Sequence, residues 1–306
     1  MIKVFGHLSP DTDATCSALV WAWYINEQTA ADATAYVLGD LNSETQFVLN
    51  RFNVSTPEIL PNLSAGDEVA IVDTNNPQEL PPDINEATVT TLIDHHKLVG
   101  GLSTEIPPTI TIRPLACTAT VIYDLLSEEG VTFPDHIKGL ILSAIISDTL
   151  EFRSPTTTPH DKDVAEKLAK ELNITVGDLA NEMFTAKSDI SSFTDMGLIK
   201  LDSKKYAVGD KNFRVSVVET TNPETVLERK AGIIDAIATC VAEENDIDDV
   251  LLFIIDILNE EAVALTYNDL TKQIISASFG VLVESDTEVL PGIVSRKKQI
   301  LPTLTL

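Results

Sequence analysis

The chain of 306 residues carries 47 acidic against 21 basic residues, a formal net charge of −26 and a pI near 4.3. Such a surface repels polyanions, which excludes a general nucleic-acid binder and means that an anionic substrate must be gripped locally, by metal ions or a small basic cluster. With 44% hydrophobic residues the chain is globular, and its length exceeds what one core usually fills, so two domains are expected.

The first half alternates short β-rich runs with helical patterns. Strands are expected at 2–6, 34–39, 68–73 and 88–94, and helices at 14–27, 43–52, 117–129, 135–147, 159–173 and 176–190. That alternation implies crossover units on a mostly parallel sheet, an α/β fold whose ligands bind at the carboxyl edge of the strands. A polar stretch follows. It divides the chain into a first domain over 1–188, a linker over 189–195 and a smaller α/β domain over 196–306. In that second domain strands are expected near 204–208, 212–219, 249–258 and 262–267, with a helix near 223–243 and a closing segment that carries "SRKKQ".

Cys16, Cys117 and Cys240 are widely spaced and odd in number, which suits a reducing cytoplasm better than a disulfide framework or zinc ribbon. The opening "MIKVFGHLSPD" lacks the apolar core of a signal peptide. The most hydrophobic run, "VLLFIIDIL" from Val250, is too short to span a bilayer and is interrupted by Asp256.

Four motifs each follow an apolar run. "GHLSPDTDA" supplies His7, Asp11 and Asp13; "IVDTN" supplies Asp73; "IDHHK" supplies Asp94, His95 and His96; "ISDTLEF" supplies Asp148. Taken singly, an Asp at a strand end is usually a turn former or helix cap, and a histidine pair is usually structural. Their convergence on one sheet edge has no structural need behind it. Two imidazoles and four carboxylates make a ligand set for a pair of divalent metals; without thiolates, Mn²⁺ or Co²⁺ fits better than structural zinc, with Mg²⁺ at oxygen-rich positions. Two such ions roughly 3.5–4 Å apart can share and activate a bridging hydroxide, which implies hydrolysis of a phosphoanhydride or phosphodiester.

In this order, "GHLSPDTDA", "VDTN", "DHH" and "SDT" resemble the DHH phosphoesterase superfamily, and "SRKKQ" with "LDSKKY" resembles in particular the family II, manganese-dependent inorganic pyrophosphatases. The resemblance spans essentially the whole chain. It implies a DHH domain followed by a DHHA2-like domain, with the active site in the cleft between them, and a homodimer. His7, Asp11 and Asp73 match ligands of a first metal; Asp13, Asp73, His95 and Asp148 match those of a second, with Asp73 bridging. His96 matches a histidine that helps protonate the departing phosphate, and Asp94 an acid that orients a histidine ligand. Lys204, Arg296 and Lys297 match the cationic grip on pyrophosphate, which arrives with Mg²⁺. Lys205 competes for the role of Lys204, but the spacing from Asp202 favours Lys204. Basic runs are usually solvated faces; in so acidic a chain "SRKK" is instead the local anion grip that the composition demands. The period of a strand points neighbouring side chains apart, so His95 is expected to face the metals and His96 the phosphate.

One departure is Thr74, where the family commonly has His. Two other readings compete with a pyrophosphatase. Another DHH phosphoesterase, an exopolyphosphatase or nucleotide phosphodiesterase, is disfavoured by the absence of a late "GGGH"-like segment and by the acidic surface. A non-catalytic metal or nucleotide sensor is disfavoured by the retention of every expected ligand.

Overall fold

The computed structural model describes residues 1–306 apart from Asn245. Two compact units divide the chain, Met1–Ala186 and Lys187–Leu306.

In the first unit, β1 (Ile2–Phe5), β2 (Ala33–Val37), β3 (Glu58–Ile59), β4 (Glu68–Val72), β5 (Thr88–Asp94) and β6 (Thr109–Ile112) form one sheet in the order β3-β2-β1-β4-β5-β6. Every pairing is parallel. Parallel neighbours need crossover connections, and these contain α1 (Thr12–Gln28) and α2 (Ser43–Arg51). After β6 come α3 (Thr118–Glu128), α4 (Asp135–Thr149), α5 (Pro159–Glu171) and α6 (Val176–Lys187). The direction of winding reverses between β1 and β4. Just beyond their carboxyl ends lies the crevice where open α/β sheets place ligands.

Packing fixes the elements that border this crevice. The central helix α4 is buried almost all round: Leu140, Ile141, Leu142 and Ile145 are fully enclosed, each contributing roughly 1.5–3 kcal/mol of hydrophobic stabilisation. Gly139 permits this close fit, since a Cβ there would meet the Phe52 ring at 2.2 Å. The helix stops abruptly after Thr149, where Leu150, Glu151 and Phe152 all take left-handed backbone angles. Asp148 therefore sits in the last turn of a helix anchored by its core.

The second unit holds a mixed sheet in the order β11-β10-β9-β8-β7, built from β7 (Asp202–Val208), β8 (Lys211–Thr220), β9 (Asp249–Asp256), β10 (Glu261–Leu265) and β11 (Thr287–Pro291). Among the described residues only the β8 to β9 pairing is parallel. The helix expected over 223–243 is broken into α8 (Glu224–Leu227) and α9 (Lys230–Glu243). The break falls at Arg229, whose guanidinium reaches Asp195 and donates to the carbonyls of Ile190 and Phe193. Together with the contact of the Ser188 and Thr221 hydroxyls, this fastens much of the stretch 188–195 to the second unit, and α7 (Asp195–Leu201) follows directly.

Elements not apparent in the patterning are β3, β6, α7, α10 (Asp269–Phe279) and β11. The strands are short, and α10 contains Thr271, Ile274 and Ile275, β-branched residues of modest helix propensity. Among the described residues no helix is long and apolar enough to cross a membrane.

Candidate metal centre

The carboxyl edge of the parallel sheet gathers every metal-ligating residue expected from the four motifs. His7 follows β1, Asp73 follows β4, and His95 follows β5. Asp11 is the N-cap of α1: one carboxylate oxygen accepts from the Ala14 amide at 2.9 Å, and the other lies 3.4 Å from His7 Nε2. Capping and site membership are thus compatible in one side chain.

Asp73 is the hub. Only 1% exposed, it holds a left-handed backbone (φ 61°), a conformation that Asp tolerates better than most residues. Its Oδ2 lies 3.4 Å from His7 Nε2, and its Oδ1 lies 3.4 Å from His95 Nε2. His95 Nε2 is also 3.8 Å from Asp148. Nitrogen and oxygen atoms this far apart can share a cation at ordinary bond lengths of about 2.0–2.2 Å. Two groups fall within such reach, His7 with Asp11 and Asp73, and Asp73 with His95 and His96; a third joins Asp13, Asp148 and the Cys117 thiol.

Neighbouring backbone sets these side chains in place. Asp13 is fully buried and accepts from the Thr118 and Ala119 amides at 2.6 and 3.0 Å, at the positive end of α3, and from Ser17 Oγ. Thr118 Oγ1 donates to Asp73. Asp161 in turn holds the start of α3, accepting from the Ala116 amide and Thr120 Oγ1. Buried Glu44 accepts from Thr12 and Ser147, neighbours of Asp11, Asp13 and Asp148. None of Thr118, Asp161 or Glu44 emerges from the motifs, since hydroxyls and caps have many other uses in a sequence.

The electrostatics of the cluster call for positive charge. Burial pushes Asp13 up to about 7, aided by Asp73. Burial, with Asp13 and Asp73 close by, lifts Asp148 well above the carboxylate range. For His7, burial alone would lower the pKa, but Asp11 and Asp73 outweigh it and raise it to about 11. His95 is likewise raised to about 9, with Asp73 and Asp13 overcoming burial. Burial acts against the charge of Asp73 too, yet its two histidines hold it far below the usual carboxylate value. Divalent cations would supply the charge that protons otherwise bring, and the imidazole nitrogen and carboxylate oxygen donors fit Mn²⁺.

The histidine pair differs from its expected arrangement. Strand β5 ends at Asp94, so His95 and His96 escape its alternation, and their rings lie 4.1 Å apart rather than on opposite faces. The ring that Asp94 holds is that of His96, with Nδ1 2.9 Å from Asp94 Oδ1. His95 instead places its Nδ1 3.0 Å from the Leu115 carbonyl. Next to His96 and His7 opens a cavity of about 300 Å³, bordered also by Thr74, Asn75, Glu79 and Lys97. Thr74 is buried and donates to Glu79 Oε2 at 2.8 Å.

In the second unit, the alternation of β7 separates Lys204 from Lys205. Lys205 faces Asp246 and Glu244, which it contacts at 2.5 and 3.2 Å. Lys204 shares its face with Asp202, and Asp202 reaches Arg296 Nη2 at 2.8 Å. Arg296 opens a π-helical turn, Arg296–Ile300, fastened when Gln299 accepts from the Val294 amide and donates to the Gly292 carbonyl. Its Nη1 is buried without a hydrogen-bond partner among the described residues. Lys297 is exposed on the same turn, and among the described residues neither it nor Lys204 forms an ion pair.

Residues 1–145 match the DHH family N-terminal domain, and residues 181–306 match the DHHA2 domain. A Deinococcus radiodurans protein named "Probable manganese-dependent inorganic pyrophosphatase" is 40% identical over 99% of this chain and 98% of its own. The chain belongs to the manganese-dependent, family II inorganic pyrophosphatases of the DHH superfamily. A Lactobacillus helveticus member of the same name is 36% identical over 99% of this chain and 97% of its own. The crystal structure of a Methanococcus jannaschii protein assigned to family II superposes with a TM-score of 0.64 at 33% identity, covering 99% of this chain and 98% of that one. An exopolyphosphatase-related protein from Bacteroides fragilis, at 13% identity and a TM-score of 0.51, shares the fold alone.

Proposed function

We propose that the protein hydrolyses inorganic pyrophosphate to two phosphates, using two Mn²⁺ ions per subunit. The single observation that carries this reading is Asp73, which offers one carboxylate oxygen to His7 and the other to His95. His7, Asp11 and Asp73 would hold one ion, and Asp13, Asp73, His95 and Asp148 the other; Co²⁺ suits the same donors. Bound ions supply Lewis acidity toward the phosphoryl oxygens and a stronger nucleophile at neutral pH.

The remaining roles fall to the chain itself. Lys204, Arg296 and Lys297 bind the phosphates of pyrophosphate, which enters with Mg²⁺, and offset the negative charge that grows in the transition state. Arg296 suits this task because one guanidinium nitrogen is pinned by Asp202 while Nη1 has no partner among the described residues. His96 gives a proton to the departing phosphate. The carboxylate of Asp94 raises the pKa of His96, and with Nδ1 engaged there, Nε2 is the nitrogen left to donate. Residues 1–188 are thus the metal-binding part, 189–195 the connection, and 196–306 the substrate-gripping part.

Two further features complete the proposal. The free edge of β6, with Ile106 and Ile110 half exposed, suits the homodimer that the family resemblance implies. Three free, buried cysteines suit a cytoplasmic enzyme, and the charge of −26 disfavours nucleic acid as a partner.

Phosphate release tests the reading. Purified protein with Mn²⁺ and Mg²⁺ should release phosphate from pyrophosphate far faster than from long-chain polyphosphate or a dinucleotide. No release from pyrophosphate, or faster release from either alternative, contradicts it.

A further inference from the structure

Asn75 lies two residues beyond Asp73, 3% exposed, and spends its whole amide on one short stretch of chain. Its Nδ2 donates to Asp94 Oδ2 at 2.5 Å and to the Lys97 carbonyl at 3.1 Å, while its Oδ1 accepts from the Val99 amide at 2.7 Å. Asp94, fully buried, uses its other oxygen on the far side: Oδ1 accepts from the His95 and His96 amides at 2.8 and 3.0 Å and lies 2.9 Å from His96 Nδ1.

We infer that Asn75 is a positioning residue for His96, acting through Asp94 and through the backbone that follows the histidine pair. The physical need is specific. His96 lies past the end of β5 and its side chain is 54% exposed, so sheet register does not hold its ring and packing touches it on one side, through the His95 ring. A carboxylate beside it fixes the ring only if that carboxylate is itself fixed at both oxygens. The two backbone amides hold only Oδ1 of Asp94, and Asn75 Nδ2 holds Oδ2. With its own Oδ1 and its second amide hydrogen Asn75 also ties residues 97 and 99, just after the ring.

An amide is the side chain for the task. It donates to a carboxylate and a carbonyl while accepting from an N–H, a combination that Asp, Ser or Leu cannot reproduce. Among the described residues Asn75 hydrogen-bonds to Asp94, Lys97 and Val99 and to none of the proposed metal ligands, so its effect should separate from metal retention.

The inference rests on the proposed role of His96, and the test separates the two. Asn75→Ala should lower kcat about 10- to 100-fold, the usual effect of losing an outer-sphere partner, while KM for pyrophosphate and manganese content stay within about twofold. In a His96→Ala background the same change should cost less than about twofold, since the ring it positions is gone. The near-isosteric, uncharged Asn75→Leu fills the same space but loses the donor to Asp94 and the acceptor for Val99, and it should match the loss should Asn75→Ala fail to fold. A crystal structure of the manganese-loaded variant should show the His96 ring displaced. That readout stands even if the wild-type protein fails to hydrolyse pyrophosphate, which would refute the functional reading alone. An unchanged kcat, an undiminished cost in the His96→Ala background, lost manganese, or an undisturbed His96 ring would overturn the inference.

Discussion

Replacing Asp73 with Asn should lower pyrophosphate hydrolysis by at least about 10³-fold, roughly 4 kcal/mol of transition-state stabilisation, and strip manganese from the protein. Few other residues serve so many partners: its oxygens face His7 on one side and His95 on the other, and Thr118 donates to it as well. Asn keeps the shape and tolerates the left-handed backbone observed at this position, so the fold survives the exchange. What disappears is the negative charge shared by both proposed metal positions. An amide has only one oxygen and turns its NH₂ toward one of the two histidines, which disfavours a cation there. The assays are phosphate release and elemental analysis of the purified variant, with circular dichroism as the check on folding. Full manganese content with intact activity would contradict the bridging role.

Arg296→Ala should lower kcat/KM about 10²- to 10³-fold, the usual effect of removing one preorganised donor from developing charge. Arg296→Lys should recover little, because the compact ammonium lacks the planar fork that lets Nη2 answer Asp202 while Nη1 reaches a phosphate. The two lysines of β7 sharpen the comparison. Lys204→Ala should lower kcat/KM by at least about tenfold, whereas Lys205→Ala should stay within about threefold. Lys205 already spends its charge on Asp246 and Glu244 on the opposite face of the strand. Steady-state kinetics of these variants decide the matter. Equal losses at Lys204 and Lys205 would contradict the assignment.

Much of this was legible in the sequence because the site is built from strand ends. A parallel sheet makes near-continuous apolar runs such as "EVAIV", and the first polar residue after each run falls at one edge; this is how His7, Asp73 and His95 are found without coordinates. The histidine pair shows the limit of that logic. Whether a strand ends at Asp94 or one residue later decides where both rings point, and boundaries are the least legible part of a pattern. The supporting shell was harder still. Asn75, Thr118, Asp161 and Glu44 act through contacts between distant segments, such as Glu44 with Ser147, and residues of these types are common at caps and turns everywhere. In the second unit the basic cluster was visible as charge, but the sorting of Lys204 from Lys205 needed the register of β7 against β8.

In the proposed centre one buried carboxylate, Asp73, joins two manganese positions. Anomalous diffraction at the manganese absorption edge, on crystals of the protein loaded with Mn²⁺, locates those ions. Two peaks should flank Asp73, one touching His7 and Asp11, the other touching Asp13, His95 and Asp148. A single peak, or two peaks that do not share Asp73, would contradict that arrangement.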